Sequence, residues 1–171
     1  MTLAGGYRVP INRKFLIQNF GDLWPVHNRG FTALLIECRR CFDGDMDQLL
    51  ILSVIGDRTL GMNRAKGLNY ADFLEGKRAV GIPQRINTQS VADSTGIPRE
   101  TVRRKIRRLI ERGWVKKNED GTLEVTESAA VDLAPATQAT FDYFLALGNI
   151  LLSKATEASA SRIKARGGET D

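Results

Sequence analysis

The chain carries very little with which to do covalent chemistry. It has one histidine, His27, and two cysteines, Cys38 and Cys41, in 171 residues. A single histidine builds neither a catalytic triad nor a metal site on its own. Two cysteines neither frame a disulfide scaffold nor close a tetrahedral metal site. No nucleophile stands beside a base in a known pattern, and no glycine-rich loop has the spacing that cradles a phosphate. The reading is therefore not an enzyme, with no cofactor and no metal. Long hydrophobic runs are also missing: nothing approaches the roughly 20 apolar residues of a membrane span, so no membrane partner is expected. The first ten residues, MTLAGGYRVP, lack the charged and apolar regions of a signal peptide. A bacterial-type cytoplasm fits these absences.

What the chain does have is positive charge, and it is unevenly placed. From Arg99 to Lys117 there are nine Lys/Arg and two Glu, a net of +7, whereas the whole chain carries +5. Everything outside this segment is therefore net negative. The segment sits inside NTQSVADSTGIPRETVRRKIRRLIERGWV, residues 87–115. Asn87 or Thr88 can cap a first helix, because a short side-chain oxygen satisfies its free N–H groups. Val91 and Ala92 supply the inward face. Gly96 falls where a tight turn needs positive φ, and Pro98 suits the start of the next helix. Val102, Ile106, Leu109 and Ile110 then recur at helical spacing as one apolar stripe, and Gly113 ends the helix. Glu100, Thr101, Arg104, Arg107 and Arg108 point the other way, with Arg99 and Arg103 beside them. A basic helix face behind a glycine turn is the footprint of a nucleic-acid partner.

Two short strands are predicted next, Trp114 to Lys117 and Thr122 to Thr126, joined by an Asn118-Glu119-Asp120-Gly121 turn. Helix, turn, helix and hairpin make a winged helix-turn-helix. The acidic wing tip is poorly matched to phosphate, so the helix is expected to contribute more than the wing.

The segment resembles the DNA-binding motif of bacterial winged-helix transcriptional regulators. Arg99-Glu100-Thr101-Val102-Arg103-Arg104 is particularly similar to the recognition helix of the cyclic-AMP receptor protein family. That resemblance implies base contacts from Arg99, Glu100 and Arg104 and a phosphate contact from Gln89. Pro98 stands where the family usually has Ser. The N-terminal half lacks the strands of a nucleotide-binding barrel, so nucleotide binding is not implied. Thr101, Arg103, Arg107, Lys116 and Lys117 complete the expected phosphate contacts.

The flanks are read as helical. Ile11 to Phe20 is open between strand and helix, and Gly21 to Gly30 reads as a connection. Phe31 to Phe42 is an amphipathic helix with Cys38 and Cys41 on its apolar side. Flanking arginines would activate such thiols if close, but buried structural cysteines are commoner. Met46 to Ile55 is a buried helix closed by Gly56-Asp57-Arg58. Residues 60–85 then form an unusually long insertion, with a short helix from Tyr70 to Glu75 capped by Asn69. Arg64, Lys66, Lys77, Arg78 and Arg85 lie there within reach of flanking phosphates. After the wing, Ser128 to Thr137 is a linker or helix start. A long helix from Thr140 to about Ala158 offers one face of Phe141, Phe144, Leu145, Gly148, Leu151, Leu152 and Ala155 to the domain's own core. A second strip, Tyr143, Leu147 and Ile150, is assigned to a dimer interface. Residues 160–171 should fray, and residues 1–10 form an irregular arm.

The fold expected is mainly α with a small β-hairpin wing, a winged helix-turn-helix with flanking dimerisation helices. Its parts are residues 1–44 (arm and helix), 45–127 (winged helix-turn-helix with the insertion) and 128–171 (dimerisation helix and tail). The layout is similar to that of MarR-type regulators. The function expected is a sequence-specific transcriptional regulator, a homodimer on an inverted repeat of double-stranded DNA, with room for a small-molecule effector. The alternatives are a plasmid or phage replication or partition protein, and a winged-helix protein-interaction module that never touches DNA.

Overall fold

The computed structural model describes residues 11–65, 67–75, 77 and 84–167. It divides into two compact units, one of residues 37–137 and one of residues 1–36 with 138–171.

The central unit is built on three helices and a hairpin. Helix α3 (Met46–Ala65) is packed by α5 (Thr88–Thr95), α6 (Arg99–Glu111) and the strand β2 (Leu123–Val125), while the strand β1 (Val115–Lys117) lies against α6 and β2. Ile51 and Ile55 of α3 meet Val91, Val102, Leu109, Val115 and Leu123 in one core, all but closed to solvent. The strands pair antiparallel, with Val115 opposite Val125 and Lys117 opposite Leu123. The amide of Leu123 also donates to the Ile86 carbonyl, which anchors the segment entering α5. Trp114 is buried edge-on against Phe42, and its indole N–H donates to Asp132 Oδ2 at 2.8 Å. That bond ties the end of α6 to α7 (Glu127–Asp132). The mainly helical winged helix-turn-helix expected from the sequence is the fold observed.

The helix-turn-helix forms for the local reasons read from the sequence. The Asn87 side chain caps α5 by accepting from the Ser90 amide at 3.0 Å. Gly96 ends α5 in the left-handed region at φ 70°, where a Cβ would be strained. Pro98 takes the capping position of α6 rather than its first turn, and gives no side-chain bond.

Several helix boundaries differ from expectation. Residues 11–20 resolve as helix α1 (Arg13–Gln18), capped by Asn12. The supposed connection 21–30 is helical: α2 runs Phe20–Cys41 with Pro25 inside it. The carbonyl that Pro25 leaves without a donor belongs to exposed Gly21, so water can satisfy it and the interruption costs little. Helix α3 does not stop at Gly56 but continues to Ala65. Gly56 marks instead where the helix passes the Val125 side chain, 3.8 Å from where a Cβ would lie. The insertion is thereby shortened, and its short helix α4 (Tyr70–Leu74) is capped by Asn69 as expected. Helix α8 (Ala134–Gly167) starts six residues early and runs through much of the tail expected to fray. Pro135 sits in its first turn, where a missing N–H is harmless. The arm 1–10 and residues 168–171 lie outside the described residues.

One interaction in the core is ionic. Lys105, on α6, is buried with Val102, Ile106 and Leu109. Its ammonium donates to both Asp45 oxygens, at 2.5 and 2.7 Å, and lies 3.3 Å from Asp47. Asp45 precedes α3 and also accepts from the Gln48 amide and side chain. Burial pushes the Asp45 carboxyl up, but the bonds from Lys105 and Gln48 outweigh it and hold the group below its ordinary value. A depressed carboxylate contributes stability that is complete above its unfolded pKa, about 3.9, and is lost as pH falls through the lower folded value. Asp45→Asn keeps a capping side chain but removes the charge, leaving Lys105 poorly paired. It should cost about 1–3 kcal/mol at pH 7. Urea unfolding of the two proteins should show the full difference at pH 7 and a shrinking one below pH 4.

Candidate nucleic-acid interface

The burial of α6 decides which of its side chains face outward. Val102, Lys105, Ile106 and Leu109 point inward, whereas Arg99, Glu100, Arg103, Arg104, Arg107 and Arg108 are exposed and Thr101 is half-buried. Ile110, assigned to the inner stripe, lies at its edge and is 38% exposed. The three residues expected at base edges, Arg99, Glu100 and Arg104, therefore lie on one open face with Arg103 and Arg107.

These groups are not electrostatically equivalent. Glu100 accepts from Arg103 Nε at 2.9 Å and Nη2 at 2.5 Å, so this pair neutralises itself one turn apart on the helix. Arg99, Arg104, Arg107 and Lys117 form no ion pair with the described residues. Arg108 lies 4.0 Å from Asp45 and remains more than half exposed. Three cations of the basic segment are used internally. Lys105 is buried on Asp45, and Arg112 stacks over Trp114 at 3.9 Å, beside Asp43 and the Cys41 carbonyl. Lys116 pairs across the hairpin with Glu124 at 3.1 Å. Lys105 is the residue sequence reasoning missed. Its position three residues after Val102 and four before Leu109 puts it beside the stripe, but in the sequence it entered only as part of the segment's +7.

The remaining expected contacts sit at the edges. Gln89 is exposed near the start of α5, with its amide donating to Asp93 at 2.7 Å. At the wing tip Asp120 accepts from Thr122, whose bonds hold its carboxyl below the ordinary range, and Arg85 approaches it to 3.8 Å. Lys77, expected near flanking phosphate, is instead paired with Glu75 and Asp72. The side chains of Arg64, Lys66 and Arg78 lie outside the described residues.

The other candidates find plain roles. Cys38 is buried and its thiol is pushed up by burial, then by Cys41 and Glu37, the reverse of an activated thiolate. Arg40 is turned to Glu37 at 3.0 Å. Among the described residues no three His, Cys, Asp or Glu gather to hold a metal, and no helix is long and apolar enough to cross a membrane. In the other unit, His27 Nδ1 and the Tyr143 hydroxyl are hydrogen-bonded at 2.8 Å. Beside them a cleft of about 420 Å³ is lined by Arg29, Ala33, Asp142 and Tyr143. Tyr143, Leu147 and Ile150 are all half-buried, so this strip of α8 is not its most exposed one.

Comparison with known proteins agrees with this geometry. Residues 84–116 match the family model of winged helix-turn-helix DNA-binding domains. The match spans the entry to α5, the turn, all of α6 and the start of the wing. No curated protein and no solved structure is significantly similar to the chain. The segment from the entry to α5 to the start of the wing is thus similar to DNA-binding winged helices, and the unit around it has the winged helix-turn-helix fold.

The Glu100–Arg103 pair has a measurable consequence. Glu100→Gln releases Arg103 for phosphate and removes one negative charge from the face. Affinity for random duplex should rise, and the slope of log affinity against log salt should steepen by about 1. Fluorescence anisotropy over a salt series checks both; an unchanged slope would mean that Arg103 stays away from the backbone.

Proposed function

We propose that this protein is a sequence-specific transcriptional regulator that inserts α6 into the major groove of double-stranded DNA. Arg99, Glu100 and Arg104 read base edges. A guanidinium bonds two acceptors on guanine, and a carboxylate accepts from the cytosine amino group. Gln89, Thr101, Arg103, Arg107, Lys116 and Lys117 fix the register on phosphates without carrying sequence information. Lys116 must first exchange Glu124 for phosphate, so its share is the smallest. Two copies side by side would place their helices about 34 Å apart and read an inverted repeat.

The observation that carries this reading is the outward face of α6. Unpaired Arg99, Arg104 and Arg107 stand on a helix whose other side is locked in the core, behind a left-handed glycine turn. A solvated charged helix would more commonly spread its acids among its bases. Here the acids of α6 are one partner of Arg103 and Glu111 near the last turn.

Selection of bound duplex from a random library should enrich an inverted repeat. Arg104→Ala should bind that site roughly 1–3 kcal/mol more weakly and lose discrimination at one base position per half-site. Equal losses on the selected site and on random DNA would count against base readout.

A further inference from the structure

We infer that Arg103 is a positioning residue for base reading: it holds the Glu100 carboxylate so that one oxygen faces the groove as an acceptor for the exocyclic amino group of a base. This role rests on the reading of α6 as the groove helix. It adds to the phosphate contact already given to Arg103.

Glu100 stands in the first turn of α6, and Arg103 follows three residues later on the same open face. By helical spacing Glu100 can pair with Arg103 at i+3 or with Arg104 at i+4. The structure selects Arg103, whose Nε and Nη2 both donate to Glu100 Oε1, at 2.9 and 2.5 Å. Arg104 pairs with no acid among the described residues, so its whole guanidinium is kept for a ligand. Because both donors fall on one oxygen, Glu100 Oε2 accepts no hydrogen bond from the described residues. A guanidinium carries five N–H bonds in a rigid fork. Two are used on Oε1 and three remain. The pair therefore presents a free acceptor and free donors side by side.

This arrangement answers three needs of a carboxylate on a DNA-facing helix. Alone, its charge would be repelled by phosphate; Arg103 neutralises it. Left mobile, its torsions would have to be ordered on binding; the two bonds hold them beforehand. The remaining N–H groups of Arg103 can reach a phosphate oxygen while Nε and Nη2 stay on Glu100. A contact that fixes register then also sets the place of an acceptor that reads sequence. The acceptor defines its ligand. It suits the amino groups of cytosine and adenine and is repelled by the acceptors of guanine and thymine. Cytosine is favoured, because adenine presents N7 beside its amino group.

The fold does not need this pair. Its side chains are 62% and 76% exposed, and so open a pair contributes little to stability. What it fixes is the outer face.

The test uses duplexes of the selected site that carry each base pair in turn at the position where Glu100→Ala abolishes preference. The native protein should favour cytosine there by roughly 10- to 100-fold. Arg103→Ala should lose most of that preference and keep those at the positions read by Arg99 and Arg104. Arg103→Lys supplies a charge for phosphate but no fork. It should recover affinity for random duplex without recovering the preference. In a Glu100→Ala background, Arg103→Ala should weaken all the duplexes by one common factor. Thermal midpoints should match the native protein throughout. If Arg103→Ala weakens every duplex equally in the native background, the inference is overturned and base reading by Arg99, Glu100 and Arg104 stands. A preference restored by Arg103→Lys overturns it too, because charge alone then suffices. If Glu100→Ala changes no preference at any position, the base contact of Glu100 itself fails and this role of Arg103 falls with it.

Discussion

The contact on which the DNA-binding unit turns is the buried pair between Lys105 and Asp45. A lysine in the middle of a recognition helix would ordinarily look outward. Here it is held inward by both oxygens of one carboxylate, with Asp47 behind it. The same carboxylate caps α3 through Gln48. One small group therefore joins the start of the central helix to the middle of α6. An apolar pair of similar size can be equally stable, but it would tolerate small rotations of α6. The ion pair instead penalises turning Lys105 outward, because that would leave the part-buried Asp45 carboxylate without its partner. Fixing Lys105 inside places residues 99, 100, 103, 104 and 107 outside in a single rotational setting, which base readout at hydrogen-bond precision requires.

The ion pairs around α6 follow from that setting. Cations near the seam with α3 and the hairpin find acids or an indole: Lys105 with Asp45, Arg112 with Asp43 and Trp114, Lys116 with Glu124. On the open face Arg103 is taken by Glu100, whereas Arg99, Arg104 and Arg107 form no ion pair with the described residues. The net +7 of the segment overstates the charge offered to a ligand, but the part that remains is concentrated where the helix is most exposed. The acidic wing tip is blunted by Arg85 and tied up by Thr122. The tip therefore carries less free negative charge than Glu119 and Asp120 suggest in the sequence.

What was legible in the sequence was whatever local chemistry decides. Asn87, Gly96 and Gly113 each perform the backbone task their residue type suits, and Val91, Val102 and Leu109 are buried at the spacing that predicted them. The outward arginines followed from the same periodicity. Boundaries failed where tertiary contact overrode punctuation. Pro25 and Gly56 look like stops, yet one lies on a solvent-facing side and the other beside Val125. Lys105 was illegible because its partner lies sixty residues away. Which strip of α8 meets α2 was illegible for a related reason: both strips are apolar, and only the bond from Tyr143 to His27 tells them apart.

That partner also bears on why the outer strip is costly if left bare. A tyrosine hydroxyl turned toward another helix must be hydrogen-bonded or pay for its lost water, and His27 meets that need at 2.8 Å. Had α8 been rotated to cover its phenylalanines instead, Tyr143 would sit comfortably in solvent, and Phe144, Leu145 and Leu152 would be buried at no polar cost. In the observed rotation His27 and Tyr143 fix the register inside while Phe144, Leu145 and Leu152 stay exposed. In the central unit the hydrophobic positions and the polar bonds agree without outside help, because α3 has helices and a hairpin packed around it. In the flanking unit they do not agree: the polar bond sets the rotation of α8 and leaves large apolar side chains exposed. The two units thus state the same rule from opposite sides: a helix face that cannot close on its own chain is specified by what it leaves uncovered.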